Sequence, residues 1–358
     1  MDRSFVLPAL EDRGLPGEVT VVHAPGDAHH VEVGLRPLLD GLYARRPGGW
    51  HCASYDDPPP GSSSDEFVIL CRPRFPSAPG IAAQRRAAGL PTVVMIDDNW
   101  IAAGKEYPRY AGLFLPGRPD YESFLSCMRD ADATLTFNRV LAEDIRPHAR
   151  AVEVLPVPVD LRPYDRDPSL APELGLSVGF TGSPRFEPSA FVAMARLAEE
   201  RPGLQILVMA HEVPPELASL PPGRLRFEPF RASVTEYAAR LAALRPTVLV
   251  APLDATRFSA SKCPRKFLDA AAARLPGVYS ALPPYAGLVR HEIDGLLADN
   301  SVDAWRREID RLLVDPGLRE RIVRSARGVV ETEYSLARTL PAFARLLSRT
   351  NSARGARA

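Results

Sequence analysis

Two lysines and a carboxylate lie close together in SASKCPRKFLDAAAARLPGVYS, residues 259–280. Lys262, Lys266 and Asp269 are four and three residues apart, so on a helix they would fall near one face. Pro264 suits the first turn of such a helix, although cations there oppose the helix dipole, which favours anions. A bound diphosphate would account for both lysines, and Asp269 would then accept hydrogen bonds from the vicinal hydroxyls of a ribose. The alternative is that the lysines are simply exposed to solvent, as most lysines are.

A glycine-containing turn follows an apolar run in VGFTGSPRFEPSAF, residues 178–191. The backbone N–H groups of Gly182 and Ser183 could bind a phosphate there, and Arg185 would add positive charge. The spacing matches neither GxGxxG nor a P-loop. An ordinary turn between a strand and a helix is therefore the alternative interpretation.

Carboxylates end another apolar run, VVMIDDNW, residues 93–100. Asp97 and Asp98 are well placed for chemistry if this run is a strand of a parallel sheet. They could instead cap the next segment, or hold a divalent metal ion through oxygen ligands. His29 follows a predicted strand and the turn that contains Gly26. It could contact a substrate there, or simply be a polar position on the first turn of a helix.

The composition is that of a soluble globular protein. The 358 residues are 46% hydrophobic and 25% charged, which suits one to three domains, and two are expected. Lysine plus arginine equals aspartate plus glutamate at 44 each, so no net charge attracts nucleic acid or an anionic membrane. The four cysteines match neither a zinc site nor a CxxC pair. Without a recognisable signal peptide or transmembrane run, the expected location is cytoplasmic, with at most peripheral membrane contact.

Short β-branched runs alternate with helical patterns along the chain. This alternation predicts two α/β domains, each with a doubly wound and mostly parallel sheet. Residues 156–175 are rich in proline and aspartate and have no clear period, which predicts a linker, and the tail from Val302 is helical. The predicted strands are 19–23, 67–71, 92–96, 133–137, 151–155, 176–181, 204–209, 247–251 and 277–280. The predicted helices of the second half before the tail are 188–201, 234–244 and 264–274.

Together these stretches resemble the group 1 class of GT-B nucleotide-sugar glycosyltransferases, and in particular bacterial members acting on cell-surface polysaccharides or secondary metabolites. The likeness is strongest over residues 262–322, which resemble the family's Lys-x-x-x-Lys-x-x-Glu helix, PPY loop, GLL strand and Trp-containing helix. GFTGSPRF, MRDADATLTFNRVLAEDI, VLPVPVD and VVMIDDNW resemble other units of these enzymes. The resemblance covers most of residues 67–334 and is weak before residue 67.

The resemblance implies a GT-B fold, in which two Rossmann-like domains have a cleft between them and helices follow at the C-terminus. Ligands of open α/β sheets bind at the carboxyl ends of the strands, which directs attention to that cleft. The implied acceptor domain is residues 1–163, the linker 164–175 and the nucleotide-sugar donor domain 176–334. Residues 335–358 would form a C-terminal helix that packs back toward the N-terminal domain, with a frayed end.

The activity that the resemblance implies is transfer of a sugar from a nucleotide-diphosphate donor, such as a UDP- or GDP-sugar, to an acceptor hydroxyl. The acceptor would be a glycan, a lipid-linked sugar or a small molecule. Retention of configuration is implied, without an obligatory metal or cofactor. The family's ribose-binding Glu corresponds to Asp269. A second family Glu, eight positions earlier and associated with donor positioning in retaining members, is replaced by Ser261.

In such a reaction each candidate residue would have a role. Arg185 and Lys266 would stabilise charge on the leaving phosphate, and Asp98 or His29 would act as the base if the leaving phosphate does not itself take the proton. The donor side would comprise Gly182, Ser183, Arg185, Ser261, Lys262, Lys266, Asp269, Pro284 and Tyr285. The acceptor side would comprise Gly26, His29, Asp97 and Asp98.

Two other functions are compatible with the same sequence. The chain could be an inactive GT-B-like binding protein or a partner subunit of an active transferase, and Ser261 in place of Glu favours this alternative. It could also be a nucleotide-sugar epimerase on the same scaffold.

Overall fold

The structure is a computed structural model, and it describes residues 14–46, 48–57, 66–165, 171–183 and 187–353. The contacts of the chain divide these residues into two units. The first unit holds the described residues within Met1–Pro158, Ser261–Cys263 and Glu333–Ala358. The second unit holds those within Val159–Ala260 and Pro264–Thr332.

Six parallel strands form the sheet of the first unit. They are β1 (Glu18–His23), β2 (Trp50–Ser54), β3 (Glu66–Cys71), β4 (Thr92–Met95), β5 (Ala133–Thr136) and β6 (Val152–Val154). Their order is β2-β1-β3-β4-β5-β6, and every neighbouring pair runs parallel. The sequence predicts all of them except β2, which lies at the edge of the sheet. Its residues are half-buried or exposed, so the apolar run that marks the other strands is missing.

Among the described residues of this unit, seven α-helices connect these strands and cover the sheet. They are α1 (Ala28–Gly34), α2 (Arg36–Leu42), α3 (Ala78–Ala87), α4 (Trp100–Glu106), α5 (Pro108–Phe114), α6 (Pro119–Asp130) and α7 (Arg139–Ile145). The core of this unit includes Leu70 and Val94 from the sheet and Phe124 and Leu141 from the helices, all fully buried. Packing of this apolar surface holds the sheet rigid and so positions the polar residues at its edge.

A second six-stranded parallel sheet forms the other unit. Its strands are β7 (Ser177–Thr181), β8 (Gln205–Ala210), β9 (Leu225–Pro229), β10 (Val248–Ala251), β11 (Gly277–Ser280) and β12 (Leu296–Ala298). The order is β12-β11-β10-β7-β8-β9, again with parallel neighbours throughout. The pattern of apolar, β-branched runs did not predict β9. This edge strand has exposed residues such as Phe227, which is 41% exposed. The resemblance to glycosyltransferases did predict a strand at β12.

The helices of the second unit agree closely with the sequence patterns. They are α8 (Ser189–Glu200), α9 (Val234–Leu244), α10 (Arg257–Ala260), α11 (Arg265–Ala272), α12 (Val302–Val314) and α13 (Pro316–Val329). Ser233 and Ser301 cap α9 and α12 with their hydroxyl oxygens, which accept from backbone N–H groups of the first turn. Phe191, Trp305 and Ile309 lie in the core of this unit.

The last helix, α14 (Leu336–Ser352), belongs to the first unit and packs on α2. An added Cβ at Gly41 would lie 2.9 Å from Leu340 Cδ1, so a larger residue there would force the Leu340 side chain to shift. None of the helices in the described part of the chain has both the length and the apolar character needed to cross a membrane. The predicted domain bounds stay a prediction. Within the predicted linker, residues 166–170 lie outside the described residues.

Candidate functional site

Polar side chains gather at the carboxyl edge of the first sheet. The carboxyl ends of parallel strands meet at one edge, so residues distant in sequence become neighbours there. Asp27 lies in the helical turn after β1, Arg72 follows β3, Asp97 and Asp98 follow β4, and Asn138 follows β5. We call Asp27, His30, Arg72, Asp97, Asp98 and Lys262 the edge cluster, because their side chains are joined by ion pairs.

Arg72 lies at the centre of the edge cluster and is 6% exposed. Its Nε donates to Asp27 Oδ1 at 3.1 Å, and its Nη1 donates to Asp98 Oδ2 at 2.9 Å and to Asp97. Its guanidinium also lies over the Trp100 ring, 4.9 Å from the ring centroid. The backbone of Arg72 has φ +52°, a left-handed conformation that costs about 1–3 kcal/mol for such a residue. The ion pairs must offset that cost.

Sequence reasoning did not identify Arg72. It belongs to no motif, and the signal that could have found it is its position directly after the buried strand β3. A charged residue placed there reaches the carboxyl edge of the sheet, as Asp97 and Asp98 do after β4.

Both predicted acidic residues are held in their ionised form. Burial alone would raise the pKa of Asp97, but His30 and Arg72 outweigh it and hold this pKa well below its usual range. Burial likewise opposes ionisation of Asp98, and Lys262 and Arg72 hold its pKa far below the usual value. Neither aspartate caps the next helix, because Asn99 accepts from Ala102 N at the start of α4. Their oxygens face cationic side chains of the protein itself.

His29 is half-buried beside His30, with 3.8 Å between the two ring centroids. Burial first, and then the charge of His30, lowers the pKa of His29 to about 4. The ring is therefore neutral near pH 7, but it binds a proton only weakly. Gly26 lies in the turn between β1 and α1, and a Cβ added to it would have no described atom within 4 Å apart from its chain neighbours.

Lys262 does not share a helix face with Lys266, so that prediction is wrong. The helix α11 begins at Arg265, and residues 261–263 belong to the first unit. Lys262 Nζ pairs with Asp98 Oδ1 at 2.5 Å, and its carbonyl oxygen accepts from Asn138 Nδ2 at 2.9 Å. The adjacent Ser261 is buried. Helical spacing could not reveal this, because the helix starts after the lysine.

Lys266 lies at the carboxyl end of β7 in the second unit. Its Nζ is 5.3 Å from the centroid of the Tyr237 ring, and the Tyr237 hydroxyl donates to Thr181 Oγ1 at 3.0 Å. The side chain is half-buried, and burial lowers the pKa of its amine. Among the residues that the structure describes, none makes a hydrogen bond or an ion pair with this ammonium.

Gly182 permits the position of Lys266. Its φ is +112°, and an added Cβ would lie 3.0 Å from Lys266 Cε. The Gly182 N–H donates to Met209 O at 2.9 Å, so this group is not available to a phosphate as the sequence suggested. What the glycine contributes is space for the lysine. Ser183 is exposed, and Arg185 lies outside the described residues.

Asp269 is buried and already hydrogen-bonded within the second unit. Its Oδ1 accepts from the Tyr164 hydroxyl at 2.6 Å and from Arg265 Nε at 2.7 Å. Burial and the neighbouring carboxylate raise the pKa of Tyr164 far above its usual value, so the phenol keeps its proton and donates. Sequence reasoning missed Tyr164, because it assigned this residue to a linker. The ribose-binding role of Asp269 stays a prediction.

The remaining donor-side prediction concerns the PPY loop. Tyr285 is 3% exposed, and its ring centroid lies 5.1 Å from that of Tyr279. The residue therefore packs into the second unit, whereas Pro284 beside it is half-buried. Within the described ranges, no three His, Cys, Asp or Glu side chains are grouped in a way that could hold a metal ion.

Comparisons with known proteins show the fold. No family model matches the chain, and no curated protein does. HepE of Anabaena, solved with UDP and glucose, is 14% identical, with 93% of this chain and 99% of that chain covered at a TM-score of 0.66. Sucrose-phosphate synthase of Thermosynechococcus elongatus is 15% identical, with 94% and 99% covered at a TM-score of 0.68. A candidate UDP-N-acetylglucosamine 2-epimerase of Listeria monocytogenes is 11% identical, with 94% and 97% covered at 0.60.

These similarities confirm the predicted fold class, which is that of GT-B glycosyltransferases with Rossmann-like α/β domains and C-terminal helices. The sheets and their flanking helices match over more than nine-tenths of the chain. Identity of 11–15% leaves the chemistry to be argued from the residues of this chain.

Proposed function

We propose that the protein transfers a sugar from a nucleotide-diphosphate donor to a hydroxyl group of an acceptor. The observation that carries this proposal is the half-buried ammonium of Lys266 beside the Gly182 turn. A half-buried ammonium that forms no hydrogen bond or ion pair with any described residue is suited to bind an anion. Its location at the carboxyl end of β7 is where open α/β sheets bind their ligands.

Sugar transfer from a nucleotide-diphosphate donor needs a cation near the phosphate that leaves. When the sugar leaves its donor, negative charge develops on the phosphate oxygen that departs from the anomeric carbon. A cation already in position stabilises that charge without reorganising, and this is often the largest contribution to catalysis. Burial lowers the pKa of Lys266. A bound diphosphate would oppose this effect, because a nearby anion favours the protonated amine. Arg185, which follows the same turn in sequence, is the second cation that we assign to the diphosphate.

The fold supports a nucleotide-sugar donor. HepE, with the same fold, has been solved with UDP-glucose and with UDP. The acceptor that we propose is a glycan, a lipid-linked sugar or a small molecule. Retention of configuration and a cytoplasmic location remain predictions from the sequence.

The test is a comparison of Lys266→Met with Lys105→Met. Methionine keeps the methylenes beside Tyr237 and removes the charge, whereas Lys105 is an exposed lysine on α4. Loss of one preorganised donor costs about 2–4 kcal/mol in the barrier, so transfer should slow about 30- to 900-fold in Lys266→Met. UDP or GDP should raise the melting temperature of the wild type and of Lys105→Met, but not that of Lys266→Met.

Other outcomes separate the alternatives. Wild-type rates in a folded Lys266→Met variant would contradict the diphosphate assignment. If no nucleotide stabilises the wild type and no activated sugar releases its nucleotide, the chain is instead a binding protein or partner subunit. If the sugar changes configuration without any acceptor, the epimerase alternative is correct.

A further inference from the structure

Arg327 is a buried arginine that belongs to none of the groups described above. It lies on α13, its side chain is 6% exposed, and its hydrogen-bond partners are all in the second unit. Nη1 donates to Ala272 O at 2.6 Å, Nη2 donates to Asp165 Oδ1 at 3.0 Å, and Nε donates to Glu331 Oε1 at 2.6 Å. One guanidinium therefore joins α13 to the end of α11 and to the segment that precedes the second sheet.

The contact with Ala272 completes the carboxyl end of α11. The last four carbonyl groups of a helix have no hydrogen-bond partner within it. In α11 three of them accept from the backbone N–H groups of residues 273–275, and the fourth, that of Ala272, accepts from Arg327. A cation at this end is also favoured by the helix dipole. Arg327 thus fixes the end of the helix that carries Lys266 and Asp269.

The contact with Asp165 fixes the helical turn Arg162–Tyr164. Asp165 directly follows this turn, and both of its oxygens accept from Arg327 Nη2, at 3.0 and 3.3 Å. Tyr164 is 3% exposed, and its hydroxyl donates to Asp269 Oδ1 at 2.6 Å. Because Tyr164 and Asp165 are adjacent in the backbone, the ion pair with Arg327 also holds the phenol against the carboxylate.

The Asp269 carboxylate is oriented through one of its two oxygens. Oδ1 accepts both from the Tyr164 hydroxyl and from Arg265 Nε at 2.7 Å. Among the residues that the structure describes, none donates a hydrogen bond to Oδ2. A carboxylate oxygen accepts strongly from a hydroxyl group, so this arrangement leaves Oδ2 as the atom suited to a ribose hydroxyl.

We propose that Arg327 is a positioning residue for the nucleotide. By fixing both the end of α11 and the turn of Tyr164, it keeps Asp269 oriented to accept a hydrogen bond from ribose. This inference rests on the proposed function. Arg327 acts on recognition of the ribose and not on the diphosphate, which we assign to Lys266. Its removal should therefore change which nucleotides the protein prefers and leave its affinity for a bare diphosphate unchanged.

The first test compares Arg327→Gln with Arg324→Gln, because Arg324 is an exposed arginine on the same helix. Calorimetry measures the Kd of UDP or GDP, of the dideoxy counterpart that lacks both ribose hydroxyls, and of inorganic pyrophosphate. The wild type and Arg324→Gln should prefer the ribonucleotide about ten- to a hundredfold, as expected for hydrogen bonds to a charged group. Arg327→Gln should lower this preference about tenfold. The Kd of pyrophosphate should be the same in all three proteins, because pyrophosphate has no ribose.

Two further variants distinguish positioning from a general structural defect. Arg327→Gln should lower the ribose preference less in a Tyr164→Phe background than in the wild type, because both residues act on the same carboxylate. Asp165→Asn removes the anion that Arg327 binds beside the turn. The Asp165 side chain is 50% exposed, so this variant should fold and should shift the preference in the same direction as Arg327→Gln.

An unchanged ribose preference in Arg327→Gln would overturn the inference, and so would a loss of pyrophosphate affinity equal to that of the nucleotide. If Arg327→Gln does not fold, an unchanged preference in Asp165→Asn overturns it instead. Equal affinity of the wild type for the ribonucleotide and its dideoxy counterpart would overturn this inference while leaving the diphosphate assignment intact. Absence of binding of both nucleotide and pyrophosphate in the wild type would overturn the proposed function as well.

Discussion

Lys262 Nζ lies 2.5 Å from Asp98 Oδ1, although 164 positions separate the two residues in sequence. The lysine was predicted on the donor side and the aspartate on the acceptor side, yet both belong to the first unit. Their side chains are 26% and 17% exposed, so solvent screens the pair only partly. The pair thus anchors residues 261–263 to the carboxyl edge of the first sheet.

A double-mutant cycle should measure this anchoring. We expect a coupling of about 1 kcal/mol in the free energy of unfolding between Asp98→Asn and Lys262→Met. Denaturant unfolding of the wild type, the single variants and the double variant measures it. The control is the exposed pair Glu320 and Arg324, with side chains 73% and 74% exposed, for which we expect no measurable coupling. Equal coupling in the two pairs would contradict a role for burial.

The ionised aspartates should make stability depend on pH. The pKa values of Asp97 and Asp98 are depressed in the folded protein, so the unfolded chain binds more protons as pH falls. Their contribution is fully present above the unfolded pKa of about 3.9, and it is lost as pH falls through the lower folded values. Unfolding free energies measured from pH 6 to pH 3 should decline, and the Asp97→Asn/Asp98→Asn double variant should decline less steeply. Identical slopes would show that other carboxylates dominate.

Gly182→Ala should disturb the position of Lys266. The added Cβ would lie 3.0 Å from Lys266 Cε, in a backbone conformation with φ +112°. We expect a loss of about 1–3 kcal/mol in stability and weaker nucleotide binding, measured by denaturant unfolding and thermal shift. Gly80→Ala is the matched control, because nothing lies within 4 Å of its added Cβ and its φ is ordinary. There we expect stabilisation of about 0.4–1 kcal/mol.

Tyr164→Phe tests what holds Asp269 in place. Removing the hydroxyl leaves a buried carboxylate with one donor fewer, which should cost about 1–3 kcal/mol in unfolding free energy. If Asp269 also binds ribose, donor affinity should fall in Tyr164→Phe, since the carboxylate loses its orientation. The control is Tyr121→Phe, because the hydroxyl of Tyr121, a residue 8% exposed, takes part in none of the hydrogen bonds between described side chains. A cost in Tyr121→Phe equal to that in Tyr164→Phe would contradict a specific role for the Asp269 contact.

Local periodicity determined most of the fold from the sequence alone. The strand at Gly277–Ser280 and the helix at Val234–Leu244 lie where the sequence predicts them, because their apolar residues repeat at the period of their own element. The sequence did not predict the edge strands β2 and β9, because it relied on this apolar repeat. Exposed edge positions carry no such repeat.

Tertiary structure alone decided which charges meet. Lys266 was identified from sequence as a candidate cation, but only the folded chain shows that it lies beside Gly182 and Tyr237 and forms no ion pair with a described residue. Asp98 acquired Arg72 and Lys262 as partners because parallel strands deliver their carboxyl ends to one edge, whatever their separation in sequence. The sequence states directly which side chain stands at each position. Ion pairing depends on long-range packing that no sequence spacing encodes.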